Sequence, residues 1–381
     1  MSDNKYQRCS RCIMDTTDPE IKFDDHGVCN HCQNFDDVTS NRWFPNDEGK
    51  QKLNKIFEKI KKDGSGKEYD CIIGLSGGID SSYLALVLKD YGLRPLVVHV
   101  DAGWNSELAV YNIEQIVKYC NYDLHTHVMN WNEVRDLQLA YLKSGVANQD
   151  VVQDHAYFAS LYHFAVKNNI KHIISGGNIA TESVFPNSWQ HSAMDSINLR
   201  AIHKKHGYHK LDQYKTISYI DYLLYYPFIK QLNTVRPLNF MPYKKIDALN
   251  TLKNKISYKE YGRKHGESRF TKFFQDYYMP TKFNMDNRLP HLSSEILSGA
   301  INREEALLKM KDNIYSAHEL QSDKKYIAKK LNISIIELDE LINSPNHHYS
   351  EYKNWDRIYS NLSRIRRMFE GILKRRISRY S

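Results

Sequence analysis

The pattern of hydrophobic and polar positions predicts a parallel sheet in the first half of the chain. Residues 69–75, 95–100 and 172–175 form short apolar runs rich in β-branched side chains, as is typical of strands buried on both faces. Between the first two runs, apolar residues recur at helical spacing from Ile79 onward until Gly92. A strand, a helix and a second strand within about 30 residues form a βαβ unit. The chain is therefore predicted to have an α/β fold.

The same pattern divides the chain into three parts. The predicted sheet belongs to residues 46–250, which follow a polar, cysteine-rich segment at 1–45. Residues 251–381 are predicted to be a mainly helical C-terminal region. Within that region, positions 335–342 have the spacing of an amphipathic helix that ends before Pro345.

Four of the six cysteines form two closely spaced pairs. Cys9 and Cys12 make one Cys-x-x-Cys pair, and Cys29 and Cys32 make the other, with 16 residues between the two pairs. Two such pairs have the spacing of a tetrahedral zinc site whose four thiolates leave no open position, so the site is predicted to be structural. A redox dithiol and a chance coincidence are the alternatives. We therefore expect a zinc knuckle module at residues 1–45.

The cysteine distribution and the lack of long apolar segments indicate a cytoplasmic protein. A secreted disulfide protein would spread its cysteines along the chain, whereas here four of six are clustered. No stretch approaches ~18 consecutive apolar residues, so no membrane span is expected. The first ten residues contain no apolar core, so no secretory signal is expected either.

The connection between the first predicted strand and its helix has the features of an anion-binding loop. Its sequence is Ser76-Gly77-Gly78-Ile79-Asp80-Ser81-Ser82. Two glycines let the backbone approach an anion, and the start of a helix offers unpaired N–H groups. The Walker pattern and Gly-x-Gly-x-x-Gly are both absent, which argues against the usual kinase, GTPase and dinucleotide-binding folds. An ordinary turn is the alternative.

This loop resembles the PP-loop of the ATP pyrophosphatases, a superfamily that includes asparagine, GMP and NAD synthetases and tRNA thiolases. Those enzymes cleave ATP to AMP and pyrophosphate and activate an oxygen atom as an adenylate. The resemblance implies a PP-loop domain at 46–250 that uses ATP and Mg²⁺, with Asp80 as a catalytic magnesium ligand. The implied nucleotide-binding residues are Ser76, Gly77, Gly78, Asp80, Ser81, Ser82, Val100, Asp101 and Gly176.

Glu182 lies in the segment that follows the third predicted strand. Ligands of open α/β sheets bind beyond the carboxyl ends of the strands, where this segment is expected to lie. Glu182 is therefore a predicted catalytic residue, either as a second metal ligand or as a contact to the acceptor. A helix-capping acid is the alternative.

Two later segments, 261–275 and 282–294, interleave cations, imidazoles, hydroxyls and phenyl rings. Such a mixture suits an anionic, hydroxylated ligand, although it also suits RNA or a structural role. Lys264 and Arg269 are predicted catalytic residues that stabilise charge on pyrophosphate or on the acceptor. The predicted substrate contacts are His265, Glu267, Ser268, Lys282 and Arg288. A plain structural role is the alternative for each of them, and for the charged residues that alternative is surface ion pairing.

The net charge of +8 is concentrated at the C-terminus. Residues 355–381 hold eight basic and two acidic side chains, so the remainder of the chain is nearly neutral. We therefore expect no nucleic-acid partner. The basic tail is predicted to be a docking element for an acidic partner or a membrane surface, or simply a solvated helix.

Five motifs carry a more specific resemblance. They are CSRCIMDTTDP, the PP-loop with the later HVDAGWNSE, GGNIATES, YGRKHGESRFTKFFQ and KFNMDNRLPHLSS. Through them the chain resembles the bacterial N-acetyl sugar amidotransferases from about residue 7 to beyond residue 350. That family includes enzymes that form acetamidino sugars in lipopolysaccharide O-antigen and in pseudaminic- or legionaminic-type sugars. Two positions depart from its pattern, namely Asn284, where Gly is expected, and Asn287, where Lys is usual.

The family resemblance implies an ATP-dependent amidotransferase. ATP would activate the oxygen of an N-acetyl group as an O-adenylate, and ammonia would then displace AMP to give an acetamidine. The acceptor would be a nucleotide-sugar or a nonulosonic acid. Ammonia would come from a separate glutaminase similar to the histidine-biosynthesis amidotransferase, possibly with a cyclase-like companion. The chain itself has Ser2 where one glutaminase class needs Cys, and neither Cys71 nor Cys120 lies on a nucleophile elbow.

Two other functions remain open. A tRNA-modifying PP-loop thiolase also combines cysteine knuckles with this loop, but it needs catalytic cysteines or an iron–sulfur site beside the nucleotide. Only Cys71 and Cys120 remain for that role. A zinc-ribbon nucleic-acid adaptor with a degenerate ATP site is the other alternative, and the intact loop with Asp80 argues against it.

Overall fold

Five strands form a parallel sheet with the order β3-β2-β1-β4-β5. The computed structural model describes residues 6–189, 191–261 and 266–372. The strands are β1 Cys71–Gly74, β2 Pro95–Asp101, β3 Leu124–Val128, β4 His172–Ile174 and β5 Asn233–Val235. The predicted α/β fold with a parallel sheet is confirmed, and the three predicted strands coincide with β1, β2 and β4.

Helices make up most of the rest of the described chain. They are α1 Asn30–Asn34, α2 Asp47–Asp63, α3 Ile79–Asp90, α4 Glu107–Cys120, α5 Trp131–Ser144, α6 Val151–Lys167, α7 Ile179–Glu182, α8 Ser196–His206, α9 Lys245–Ile256, α10 Arg269–Phe273, α11 Met279–Phe283, α12 Arg288–Leu297, α13 Arg303–Lys309, α14 Ala317–Leu331, α15 Ile335–Asn343 and α16 Asp356–Ile372. Among the residues that are described, no helix combines the length and the apolar character needed to cross a bilayer.

Helices cover both faces of the sheet. Because successive side chains of a strand point to opposite faces, Cys71 and Ile73 lie on one face and Ile72 on the other. The first face packs against α2, α3, α4 and α9, and the second against α6 and a π-helix at Asp221–Ile229. Burial on both sides explains why β1 and β2 are continuous apolar runs in the sequence.

The direction in which successive strands are added to the sheet reverses between β1 and β4, although the two strands are parallel. The connections from β1 through β2 to β3 extend the sheet one way, and β4 and β5 extend it the other way. Loops that leave the carboxyl ends of β1 and β4 therefore diverge, and a crevice opens between them, as at the ligand sites of open α/β sheets. The predicted PP-loop follows β1, and Gly176 follows β4.

The cysteine-rich segment and the C-terminal helices share one apolar core. The four clustered cysteines are buried together with Phe270 and Phe273 of α10 and Ile327 of α14. Arg303 at the start of α13 donates hydrogen bonds to the carbonyl oxygens of Cys12 (3.0 Å) and Cys9 (2.9 Å). The predicted boundary at residue 45 lies just before α2, whereas the boundary at residue 250 falls inside α9.

Arg303→Ala is expected to lower the free energy of unfolding by about 2 kcal/mol, because it removes charge-assisted hydrogen bonds to two carbonyl groups. The matched control is Arg11→Ala, whose guanidinium pairs with Asp36 at the surface, with side chains 40% and 52% exposed. An exposed pair of this kind contributes less than about 1 kcal/mol. Urea unfolding of both variants measures the difference, and equal losses would contradict the shared core.

Candidate active site

The loop after β1 presents donors at the start of α3. Gly78 is the N-cap residue of this helix, and it has no side chain to occupy the terminal N–H groups. Gly77 has a φ of +85°, and a Cβ atom there would lie 2.7 Å from the carbonyl oxygen of Ala109. The hydroxyl of Ser76 accepts the Gly78 N–H (3.2 Å) and lies 3.2 Å from that of Ser81. N–H and O–H groups thus converge as an anion site requires.

The loop after β4 lies directly against this helix start. A Cβ atom on Gly176 would be 3.2 Å from the backbone nitrogen of Ser81, so a side chain there would push the two loops apart. Asn178 caps α7 through the Thr181 N–H (3.0 Å) and donates to the Gly176 carbonyl (3.2 Å). The carboxylate of Glu182 accepts the Asn178 N–H (3.4 Å), as a capping acid would. Glu182 is therefore held at the crevice.

The crevice is part of a cavity of about 730 Å³, a size typical of ligand sites. Its lining includes many of the residues predicted from the sequence. These are Ser76, Gly78, Asp80, Ser81, Val100, Gly176, Glu182, Glu267 and Ser268. A second cavity of about 360 Å³, lined in part by aromatic and imidazole rings, includes none of the predicted site residues.

The charged groups of the large cavity are mostly acidic. Among the described residues its carboxylates are Asp80, Asp150, Asp154, Glu182 and Glu267, and its lysine and arginine side chains are Arg236 and Lys245. The Tyr243 hydroxyl donates a hydrogen bond to the Asp80 carboxylate. Burial, and then the charge of Asp80, raise the pKa of Tyr243, so the phenol stays protonated as the donor. Oxygen-rich, acidic surroundings of this kind suit a hard divalent cation such as Mg²⁺.

The buried carboxyl group of Asp150, in the lining of the same cavity, connects the start of α6 to α10. Burial, and then the neighbouring Asp154, raise the pKa of Asp150 well above its ordinary value. Its Oδ1 accepts hydrogen bonds from Thr271 Oγ1 (3.2 Å) and Gln153 Nε2 (3.1 Å), and Gln153 Oε1 accepts one from Ser268 (3.0 Å). A buried acid whose pKa is raised by burial and by a neighbouring carboxylate is a candidate for proton exchange.

An apolar slot lies at the carboxyl end of β2. Val100 and Leu161 line it beside His99. The ring of His99 contacts the Leu75 carbonyl through Nδ1 (2.9 Å) and the Asn105 amide through Nε2 (2.9 Å). Burial lowers the pKa of His99, so the neutral ring donates from Nδ1 and accepts at Nε2. An apolar slot with fixed polar edges suits a flat aromatic base.

Three predicted cations lie outside the cavity lining and connect C-terminal elements. Arg269 pairs with Asp323 of α14 (2.5 Å). Lys282 donates to carbonyl groups at the end of α15, and Arg288 pairs with Asp286 (2.7 Å). The ion pairing named as an alternative is therefore what the structure shows for Arg269 and Arg288, and Lys282 binds backbone carbonyls.

The remaining predicted residues have other positions. Gly77 and Asp101 are outside the cavity lining, and Ser82 is fully buried in α3, with no hydrogen-bond partner for its hydroxyl among the described residues. Lys264 and His265 lie outside the described residues.

Sequence reasoning missed Arg236, Lys245 and Asp150. The segment that carries the first two begins directly after β5, whose sequence Asn-Thr-Val is not an apolar run and does not read as a buried strand. Recognition of that strand would have marked its carboxyl end as a further part of the site. Asp150 ends a loop before α6 and carries no motif of its own.

The four clustered cysteines form a group that fits a metal ion. Their sulfur atoms lie within 4.8 Å of one another, and all four residues are fully buried. Cys9 and Cys32 have sulfurs 3.8 Å apart, and the sulfurs of Cys12 and Cys29 are 3.6 Å apart. Tetrahedral bonds of about 2.3 Å place thiolate sulfurs ~3.8 Å from each other. The predicted four-cysteine cluster is thus confirmed as a possible metal site.

The departures from the family pattern have local explanations. Asn284 ends α11 with a φ of +56°, a conformation that Gly, followed by Asn, tolerates best. Asn287 is buried, and its amide group lies 3.2 Å from the sulfur of Met279.

Comparisons with known proteins identify the C-terminal region. Residues 267–366 match the family model of the C-terminal domain of WbpG-like LPS biosynthesis proteins. This part of the chain is therefore similar to that domain. Among curated proteins, none matches the sequence significantly.

Solved structures with a similar chain trace come from several enzymes. NMN synthetase from Francisella tularensis is 16% identical, with a TM-score of 0.33, over 79% of this chain and 98% of that chain. NH3-dependent NAD synthetase from Campylobacter jejuni subsp. jejuni is 15% identical, with a TM-score of 0.29, over 54% and 93% of the two chains. The U34-tRNA thiolase NcsA from Methanococcus maripaludis is 13% identical, with a TM-score of 0.33, over 83% and 96%. Similarity this low carries no information about ligands.

Elemental analysis of the purified chain is expected to find one zinc ion per chain, because four buried thiolates at tetrahedral spacing favour this metal. Cys12→Ser is expected to abolish zinc binding and to lower the melting temperature, since the cluster lies in the core shared with the C-terminal helices. Cys71→Ser is the control, because Cys71 is a buried cysteine in β1 outside the cluster. Zinc retained by Cys12→Ser would contradict the assignment.

Proposed function

We propose that the chain is an ATP-dependent amidotransferase that converts the N-acetyl group of a bacterial surface sugar to an acetamidino group. The composition of the large cavity carries this proposal. One wall is the PP-loop, and another consists of Glu267, Ser268, Asn287 and His291, which belong to the WbpG-like region. A cavity shared by a phosphate-binding loop and a lipopolysaccharide-biosynthesis region supports a reaction between a nucleotide and a sugar.

The nucleotide would lie along the carboxyl edge of the sheet. Donors of Ser76, Gly78 and Ser81 would bind its phosphates, and the slot beside Val100 would hold the adenine. Asp80 and Glu182 would hold Mg²⁺, which would neutralise phosphate charge when bound.

Arg236 and Lys245 would add positive charge at the phosphates. They are the lysine and arginine side chains that line the cavity among the described residues. Fixed cations of this kind stabilise the charge that develops on departing pyrophosphate. The described structure therefore favours these two residues over Arg269, Lys282 and Arg288 for that role.

The chemistry requires activation of an inert amide. The amide oxygen would attack the α-phosphorus of ATP, which forms an O–P bond and releases pyrophosphate. Ammonia would then add to the imidate carbon, and AMP would leave with the former amide oxygen. Glu267 or Asp154 would accept the proton that ammonia loses, whereas Asp150, with its raised pKa, would stay protonated. Exclusion of water is necessary, because water would regenerate the acetamide.

The cysteines disfavour the tRNA thiolase alternative. Four of the six belong to the metal cluster, and the other two, Cys71 and Cys120, are buried outside the cavity lining. Burial also raises the pKa of Cys71 and brings that of Cys120 to about 11, so neither is a ready nucleophile. The same observation supports a separate glutaminase as the source of ammonia.

Turnover tests the proposal directly. The full chain is incubated with ATP, Mg²⁺, ammonium and either a diacetamido nucleotide-sugar or a diacetamido nonulosonic acid. AMP and pyrophosphate are expected, together with a sugar product that is one mass unit lighter than the acceptor. Pyrophosphate release that requires tRNA, with no change in any acetamido sugar, would contradict it.

Asp80→Asn is expected to reduce pyrophosphate release by at least about 100-fold, because it removes charge that holds the nucleotide's cation. Zinc content should not change, since Asp80 does not belong to the four-cysteine group. Asp247→Asn is the matched control, because Asp247 is an exposed acid in the first turn of α9 and does not line the cavity. Equal activity of the two variants would exclude Asp80 from catalysis.

A further inference from the structure

Two tyrosines outside the PP-loop hold one of its carbonyl groups. The hydroxyl of Tyr258 donates a hydrogen bond to the carbonyl oxygen of Gly77 (2.8 Å), and the hydroxyl of Tyr261 donates to the same oxygen (2.9 Å). Both lone-pair directions of that oxygen are therefore occupied by phenol donors. None of the motifs identified in the sequence assigns a role to Tyr258.

The orientation of this carbonyl group fixes the orientation of the next N–H. The Gly77–Gly78 peptide is trans, and in a planar trans peptide the C=O and the N–H point in opposite directions. Since the carbonyl faces the tyrosines, the Gly78 N–H faces the opposite side, where it meets the Ser76 hydroxyl (3.2 Å). Gly78 and Ser76 line the cavity, whereas Gly77 does not.

This peptide is unusually free to rotate, so its orientation has to be held. Neither glycine has a Cβ atom, and Gly77 already has a φ of +85°. A rotated peptide would turn the carbonyl oxygen of Gly77 toward the cavity, where it would repel an anion. Only one of the two orientations is therefore compatible with phosphate binding.

The tyrosines are themselves held in place by α4. The amide of Asn112, which is fully buried, donates to the Tyr261 hydroxyl (3.1 Å) and to the Lys259 carbonyl (2.9 Å). The Asn112 side-chain oxygen accepts the Lys259 N–H (2.9 Å). The pKa values of Tyr258 and Tyr261 are both raised, mainly by burial. Both phenols therefore remain protonated donors at neutral pH.

We propose that Tyr258 and Tyr261 are positioning residues that hold the Gly77–Gly78 peptide in the orientation that binds a pyrophosphoryl group. This inference rests on the proposed function only in assuming that the loop binds the phosphates of ATP. It extends the site to a segment that lies more than 170 residues beyond the loop in sequence.

Calorimetric titration with inorganic pyrophosphate and Mg²⁺ tests the proposal without any acceptor sugar. Tyr258→Phe and Tyr261→Phe are each expected to weaken binding about fivefold, and the double variant on the order of 25-fold, because each loses one hydrogen bond. The matched control is Tyr122→Phe, since the Tyr122 hydroxyl also donates to a carbonyl, that of Ala85 in α3 (3.3 Å). Pyrophosphate should bind this control as it binds the parent chain.

The amide signal of Gly78 in a chain labelled with ¹⁵N-glycine gives a second measurement, which a purely structural role would not move. Pyrophosphate is expected to shift this signal in the parent chain and in Tyr122→Phe, and to shift it less in the double variant. Unchanged pyrophosphate affinity in the double variant would overturn the proposal, even if its melting temperature fell. If the parent chain bound pyrophosphate and the double variant did not, but no acetamidine formed, the positioning role would stand and the proposed acceptor reaction would fall.

Discussion

The close approach of two backbones between β1 and β4 is the constraint on which the candidate site depends. Gly176 lies so near Ser81 that a Cβ atom would be 3.2 Å from its nitrogen, and Gly77 is restricted more tightly by α4, where a Cβ atom would be 2.7 Å from the Ala109 carbonyl oxygen. These contacts bring the loop with Asp80 and the segment with Glu182 to the same cavity. The positions of the glycines therefore determine where the two loops lie, and the loops in turn place the side chains of the candidate site.

The C-terminal region closes this crevice by pairing with the loop after β2. The Ser106 N–H donates to the Glu267 carbonyl (2.8 Å), and the Arg269 N–H donates to that of Trp104 (3.0 Å). Asn105 and Ser268 form an antiparallel bridge between these bonds. Backbone pairing thus fixes Glu267 at the cavity, while the helices that follow bury the cysteine cluster on their other side. The C-terminal helices that bury the cysteine cluster therefore also follow directly on the segment that holds Glu267, so the stability of the cluster and the position of Glu267 are linked.

The sequence predicted the features that depend on local pattern. Strands β1, β2 and β4 are buried on both faces and read as apolar runs, and the loop after β1 has a distinctive motif. Strand β3 lies at the sheet edge with mostly exposed residues, and β5 has the partly polar sequence Asn-Thr-Val, so neither has an apolar run to detect. The strand order, and with it the part played by Arg236 and Lys245, arises from contacts distant in sequence. The ion pairs of Arg269 and Arg288 could not be predicted, because their acidic partners cannot be identified from a single sequence.

The distribution of charge has a consequence for how a nucleotide would bind. The chain carries a net charge of +8, yet the described lining of the large cavity holds five carboxylates and two lysine or arginine side chains. An uncomplexed triphosphate would meet repulsion from Asp80 and Glu182 at short range, where screening by salt is weak. A nucleotide that arrives with its divalent cation turns the same carboxylates into ligands. The acidity that opposes free ATP would therefore favour the metal complex, and the buried Asp150, with its raised pKa, limits the negative charge that remains once the cation is bound.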